Sequence, residues 1–331
     1  MSLPTNLNLV NLTVSGISSG AYFANQFQIS FSKSVEGGAF IAGGPYYCAM
    51  NNFYSALNSC METDGIAASV STLVQWTKNA ANLGYIDPYQ NLEHSKIFIQ
   101  NGLSDSVIDP KLGQDNYQFY KQMGTRNENI KTVFELDSAH GWPVYNQTIT
   151  AGSPCDEIND RFMNNCEFEV AWQMVKFFYG FEQTPEFDES KTWTMESLTP
   201  FDQKNFCPLS NCKSISMANT GYIYIPEQCL NGSNPNCKLM VSFHGCQMGA
   251  SDSKYKEVGE NWMLYNGLLQ IADALDLVVL YPQAISSTFN PTNPYGCWDW
   301  WGYTNSLYAV KSGPQIRAVQ QMVNKIYRSN L

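Results

Sequence analysis

Short apolar runs alternate with longer amphipathic ones along most of the chain, the rhythm of a parallel sheet covered by helices. The apolar runs predict strands at 9–14, 39–42, 96–100, 131–136, 221–225, 239–243 and 277–281. Ala171, Met174, Val175 and Phe178 recur at i, i+3, i+4 and i+7 and predict a helix that Gly180 stops. Pro314 opens another, with Ile316, Val319, Val323, Ile326 and Tyr327 on one face. Residues 181–218 form the least regular stretch, polar and loop-like from Glu182 onward. The chain on either side of it supplies only three or four strands, so one sheet is expected to cross it, in a single α/β domain over residues 4–331.

Composition narrows the function classes. The 331 residues carry 19 Lys+Arg against 29 Asp+Glu, a net charge of −10, which argues against a phosphate-backbone binder and hence against nucleic acid. Charged residues are 15% of the chain and aromatics 14%, a balance that argues against disorder. No stretch approaches 18 uninterrupted apolar residues, so no membrane span is expected. The opening Met1-Ser2-Leu3-Pro4 has neither a basic n-region nor an apolar h-region, so any secretory signal is expected to have been removed and residues 1–3 to be cloning-derived.

Ten cysteines, at 48, 60, 155, 166, 207, 212, 229, 237, 246 and 297, speak for the compartment. Metal knuckles would need Cys-x-x-Cys pairs or histidines at ligand spacing, and the three histidines, His94, His140 and His244, are scattered, so no metal is expected. The even count points to disulfides and an oxidising, extracellular or periplasmic setting. Eight of the ten fall into short-range neighbours and only Cys246 and Cys297 lie far apart, but loop length alone does not fix the pairing. Sequons at Asn11, Asn146 and Asn231 fit secretion weakly, and Asn11 falls in what reads as a buried strand.

The sharpest chemical signal is Gly16-Ile17-Ser18-Ser19-Gly20, placed after a strand and before a helix beginning Ala21-Tyr22-Phe23-Ala24. Five letters of this kind are common, but that context is what a nucleophile elbow requires: a strained serine flanked by residues small enough to let it turn. A serine hydroxyl needs a base. His94 sits in a polar run before a strand, whereas His140 follows the predicted strand 131–136, at a carboxyl end where open α/β sheets carry their sites. The acid should lie between the two in chain order. Asp105, in the loop after strand 96–100, fits, with Asp109 and Asp137 as competitors.

His244 has a different setting. Phe243-His244-Gly245-Cys246 resembles the His-Gly loop that supplies oxyanion-hole amides in lipases and esterases, yet it comes more than 220 residues after the elbow instead of before it. A circular permutation reconciles the order. Residues 295–303 add five aromatics in nine positions; a Cys246–Cys297 bridge would bring Trp rings beside a reacting carbonyl.

Together, residues 15–22, 41–49, 221–226, 243–246, 280–285 and 296–300 resemble the fungal-type polyhydroxybutyrate depolymerases, single-domain, circularly permuted α/β-hydrolases that degrade poly(3-hydroxybutyrate). The resemblance implies a mostly parallel sheet flanked by helices, with nucleophile, acid and base in 4–180 and the oxyanion and aromatic loops in 219–331. It implies Ser18 as nucleophile, Asp105 as acid, His140 as base, and the backbone amides of Ser19 and Cys246 as oxyanion hole. Trp298, Trp300 or Trp301 would line the substrate groove, with Tyr46 and Trp142 as further candidates. It accounts for the pairs Cys48–Cys60, Cys155–Cys166, Cys229–Cys237 and Cys246–Cys297, while Cys207 and Cys212 look like an addition. The expectation is a secreted monomeric serine esterase needing no cofactor, acting on a polyester or small ester. A feruloyl- or acetyl-polysaccharide esterase or short-chain lipase is the enzymatic alternative, and a disulfide-braced binding protein for polysaccharide or an apolar surface the non-enzymatic one.

Overall fold

The computed structural model describes residues 1–5, 7–63, 69–145, 153–188, 190–230 and 234–327. In chain order the elements are β1 (Leu9–Ile17), α1 (Ser19–Ser30), β2 (Val35–Ile41), α2 (Phe53–Cys60), α3 (Val70–Asn82), β3 (Lys96–Gln100), α4 (Pro110–Met123), β4 (Ile130–Val133), β5 (Trp142–Val144), β6 (Ser153–Pro154), β7 (Met163–Asn165), α5 (Val170–Tyr179), β8 (Thr199–Asp202), β9 (Thr220–Tyr224), β10 (Cys237–Phe243), α6 (Lys256–Tyr265), α7 (Leu268–Ala274), β11 (Leu277–Tyr281) and α8 (Pro314–Ile326).

One eight-stranded sheet runs β4-β3-β2-β1-β10-β11-β9-β8, and β5, β7 and β6 make a small parallel sheet beside it. The six strands from β4 to β11 are parallel; β9 and β8 close that edge antiparallel. Both faces are covered, as parallel sheets demand. Alternate strand residues divide between them: Val14, Phe40, Ile97, Ile99, Leu239 and Val241 pack with Phe23 and Phe27 of α1 and Ile316 and Val319 of α8. Ala39, Phe98, Met240 and Val279 pack with Met174, Val175 and Phe178 of α5 and with Trp262 and Leu269 of α6 and α7. The period of two read along each strand is thereby the boundary between two cores.

Register lines up the carboxyl ends. Gly16 pairs with Phe243, Ile17 with Ile41, Ile41 with Gln100, and Gln100 with Val133, so five parallel strands finish within about one residue of the same level. The neighbour of β1 on one side, β10, comes from the far end of the chain, as a permuted order requires.

Three expectations need correction. The strand placed at 131–136 is only Ile130–Val133, because from Phe134 the chain turns toward the loop holding His140. The stretch 181–218 contains β8, an edge strand hidden from pattern reading by its sequence Thr-Pro-Phe-Asp; Pro200 is tolerated because edge strands can spare an N–H. Asn11 lies at a bulge in β1 with φ 51°, half-buried, its amide donating to the Glu36 carboxylate. Asn146 and Asn231 lie outside the described residues. All ten cysteines are paired: 48–60, 155–166, 207–212, 229–237 and 246–297. Among the described residues no helix is long and apolar enough to cross a membrane.

Candidate active site

Ser18 sits between the last residue of β1 and the first of α1, at φ 57° and ψ −123°. A non-glycine residue in that region costs about 1–3 kcal/mol and persists only where its surroundings hold it. Here they do. The Ser18 N–H donates to Ile41 O at 2.9 Å, and its carbonyl accepts from Ala21 N at 2.9 Å and Tyr22 N at 3.1 Å. A Cβ on Gly16 would lie 2.2 Å from Gly20 O, and one on Gly20 would lie 2.3 Å from Phe243 O, so both elbow glycines are dictated by backbone approach.

The histidine is fixed by the acid. His140 Nδ1 lies 2.9 Å from Asp105 Oδ2 and 3.1 Å from Oδ1, with the two side chains 5% and 0% exposed. Asp105 Oδ1 also accepts from the backbone N–H groups of Val107 and Ile108, each at 2.9 Å. A carboxylate so tied cannot rotate, and it selects the imidazole tautomer protonated on Nδ1, leaving Nε2 basic. The competitors have other work. Asp109 caps α4, accepting from Lys111 N at 2.8 Å and Thr63 Oγ1 at 2.5 Å, and Asp137 accepts from Ser104 Oγ at 2.5 Å. His94 is exposed at the opposite end of the sheet.

The loop after β10 lies against the elbow: a Cβ on Gly245 would stand 3.4 Å from Ser18 Cβ. His244 beneath it is fully buried, with Nδ1 2.7 Å from Gly245 O and Nε2 accepting the Ala284 N–H at 3.1 Å. Burial pulls its pKa down to about 4, so at neutral pH the ring is uncharged, as these two bonds require. The Cys246–Cys297 disulfide joins this loop to the aromatic one. Ser19 opens α1, so its N–H has no acceptor within the helix and lies at the positive end of the dipole.

Most of the aromatic candidates for a substrate groove are core instead. Trp298 is fully buried, stacked on Phe23 with centroids 4.6 Å apart and edge-on to Phe243. Tyr46 is fully buried, its hydroxyl donating to Ala309 O at 2.8 Å, and Trp142 lies in β5, its indole N–H on Asn266 O at 3.0 Å and its ring edge-on to Trp262. Large rings fill space between layers, and a sequence gives their bulk but not their direction. Trp301 is only half-buried and meets the exposed Phe53 of α2, while Trp300, 5% exposed, stacks on Tyr22 at 4.5 Å.

Two residues of this region went unassigned from sequence. Tyr22 donates its hydroxyl to Cys60 O, and burial first, with the Asp105 charge second, holds its phenol well above the ordinary range and therefore neutral. Asp299 organises the aromatic loop, its carboxylate accepting from Gly302 N at 2.7 Å, Tyr303 N at 3.0 Å and Thr304 N at 2.9 Å. Its signal was present: a lone carboxylate inside an aromatic run has to find several donors or be expelled.

No family model matches the chain. It is 31% identical over 328 residues to a poly(3-hydroxybutyrate) depolymerase of Delftia acidovorans, an alignment spanning 98% of this chain but only 62% of that protein. It is 29% identical over 336 residues to a polyhydroxybutyrate depolymerase of Talaromyces funiculosus, spanning 97% and 91% of the two. Among solved structures, the PHB depolymerase of Penicillium funiculosum and a serine-to-alanine PHB depolymerase complexed with an R3HB trimer each superpose over 100% of both chains, with TM-score 0.85 and 26% identity. From β1 to α8, this chain is similar to the polyhydroxybutyrate depolymerases and shares their α/β-hydrolase-like fold.

Proposed function

We propose that this protein is a secreted serine esterase that cleaves poly(3-hydroxybutyrate), or a related polyester or oligoester, through an acyl-serine intermediate. The observation that carries the reading is the Asp105–His140 pair, held beyond the carboxyl ends of the strands, the same end of the sheet as the strained Ser18. The substrate class rests on the relatives, the compartment on five disulfides.

In this mechanism His140 Nε2 takes the Ser18 proton as Oγ attacks the ester carbonyl, and Asp105 balances the imidazolium charge without accepting a proton. The oxyanion is met by the Ser19 and Cys246 amides; one such donor is typically worth about 10²- to 10³-fold in rate. His140 then protonates the departing hydroxyl, the C–O bond breaks, and water, activated by the same imidazole, releases the acid from Ser18. Trp301, half-buried beside the exposed Phe53, is the candidate aromatic with most surface left to meet an acyl chain.

Ser18→Ala is expected to fold as the parent does and to lose p-nitrophenyl butyrate hydrolysis by several orders of magnitude. Survival of that turnover would refute the nucleophile. His140→Ala should be inactive and His244→Ala measurably active; the reverse ranking would overturn the division of labour between the two histidines. Release of 3-hydroxybutyrate oligomers from a polymer suspension separates a polyester hydrolase from an esterase for polysaccharide esters or short lipids. Failure of a fluorophosphonate to label Ser18 would favour a binding protein.

A further inference from the structure

The backbone around His140 is held from outside the main sheet. Cys155 and Cys166, bonded to each other across a separation of 11 positions, close a loop that contains β7. Among the described residues, three backbone hydrogen bonds beyond the strand ladder lead from this loop to the rest of the chain, and each ends between residues 139 and 144. The Ala139 N–H donates to Cys155 O at 2.8 Å, the Trp142 N–H to Phe162 O at 2.8 Å, and the Cys166 N–H to Val144 O at 3.0 Å. Residues on both sides of His140 are thereby fixed to one disulfide-closed unit.

Two side chains of that loop reach the histidine's surroundings. Asn164 is fully buried, and its amide donates to Cys155 O at 3.0 Å and Glu157 O at 3.1 Å. Those two bonds turn its carbonyl oxygen toward the residue after His140: a Cβ on Gly141 would collide with Asn164 Oδ1, so only glycine permits the approach. Phe162 is half-buried, and its ring stands edge-on to the imidazole, with centroids 6.4 Å apart and an interplanar angle of 82°. Its backbone is at φ 54°, a left-handed conformation that a bulky residue keeps only where its surroundings hold it. Backbone geometry by itself favours glycine there, and what phenylalanine adds is the ring.

The Asp105 carboxylate fixes one corner of the imidazole and its tautomer, but a ring held at one corner can still swing about that contact. Where Nε2 points is then set by the position of the main chain and by what bounds the ring. A misplacement of about 1 Å at a reacting group can cost about 10²-fold in rate. We propose that Phe162 and Asn164 are positioning residues for His140, Phe162 bounding the ring and Asn164 holding the main chain at Gly141, so that Nε2 stays directed at the Ser18 hydroxyl. The assignment rests on the reading of His140 as the base.

The test compares Phe162→Gly, Phe162→Leu and Asn164→Ala with the parent in p-nitrophenyl butyrate hydrolysis, thermal unfolding and proton NMR of the His140 Nδ1–H bonded to Asp105. Phe162→Gly relieves the left-handed backbone, so its thermal midpoint should stay near the parent's while kcat falls about 10²-fold and KM changes little. Phe162→Leu, which bounds the ring again, should recover part of that loss. In Phe162→Gly and in Asn164→Ala the Nδ1 proton resonance should shift or broaden, a signature that a role confined to stability would not produce. The Phe162 variants keep the test decisive if Asn164→Ala fails to fold. An unchanged kcat and an unchanged resonance in Phe162→Gly, or a loss confined to the thermal midpoint, would overturn the positioning role. Hydrolysis that needs His140 but is indifferent to Phe162 and Asn164 refutes the positioning alone, whereas hydrolysis that survives His140→Ala refutes the base and the positioning with it.

Discussion

His244 offers the cleanest quantitative test, because one buried ring fixes both the loop after β10 and a share of the pH-dependent stability. Its neutral form donates from Nδ1 to Gly245 O and accepts at Nε2 from Ala284 N–H; a proton on Nε2 would set two donors against each other. Burial lowers the folded-state pKa to about 4, against about 6.5 in an unfolded chain. As pH falls below 6.5 the unfolded state takes up a proton that the folded state refuses, so this contribution is present above 6.5, shrinks through the window, and is gone once pH passes 4. The difference of about 2.5 units corresponds to about 3 kcal/mol. His244→Gln removes the titration. At pH 7 the variant should be less stable than the parent by about 2 kcal/mol, the value of two buried hydrogen bonds left imperfect. Toward pH 4 the gap should close and then invert, because only the parent loses the histidine contribution. Urea unfolding at about pH 7, 5.5 and 4.5 reads this directly. A parent-minus-variant difference that stays constant across those pH values would refute the neutral-ring account.

Three further outcomes follow from the geometry. Replacing Cys246 and Cys297 together by serine should cost about 4 kcal/mol, from the entropy of an open loop of some 50 residues, and should lower esterase activity in the protein that remains folded; an unchanged thermal midpoint would contradict it. Gly20→Ala must push the Phe243 and His244 carbonyls away from a Cβ placed at 2.3 and 2.4 Å, so it should destabilise by about 3 kcal/mol or more in urea unfolding. Trp301→Ala should raise KM for oligoesters while leaving Tm nearly unchanged, because Trp301 is only half-buried and meets the exposed Phe53, whereas truncating the buried Trp298 should lower Tm sharply.

The elbow was legible because everything it needs is local: two glycines four residues apart, a serine midway, a strand before and a helix after. That the cysteines form disulfides was legible from their even count, whereas four of the pairs came only from the family resemblance; the extra Cys207–Cys212 pair closes a short loop. Less could be read where elements are short. β5, β6 and β7 are two or three residues each and carry no periodicity to detect, yet they frame the chain beside His140 and contain Trp142. Asp105 could be set apart from Asp109 and Asp137 on residues alone only by position in a loop; hydrogen-bond partners are what separate an acid, a helix cap and a turn former.

What the chain by itself determined was the alternation of strand and helix, the turn that strains Ser18, and the types of side chain available at strand ends, since these depend on neighbours within a few positions. Only the tertiary structure decided which carboxylate holds His140, that Gly245 abuts Ser18, and that Tyr46, Trp142 and Trp298 face the interior. Those outcomes depend on the order and register of strands drawn from both ends of the chain, and on which cavity between layers each ring fills, and neither quantity is stored in any local window of sequence.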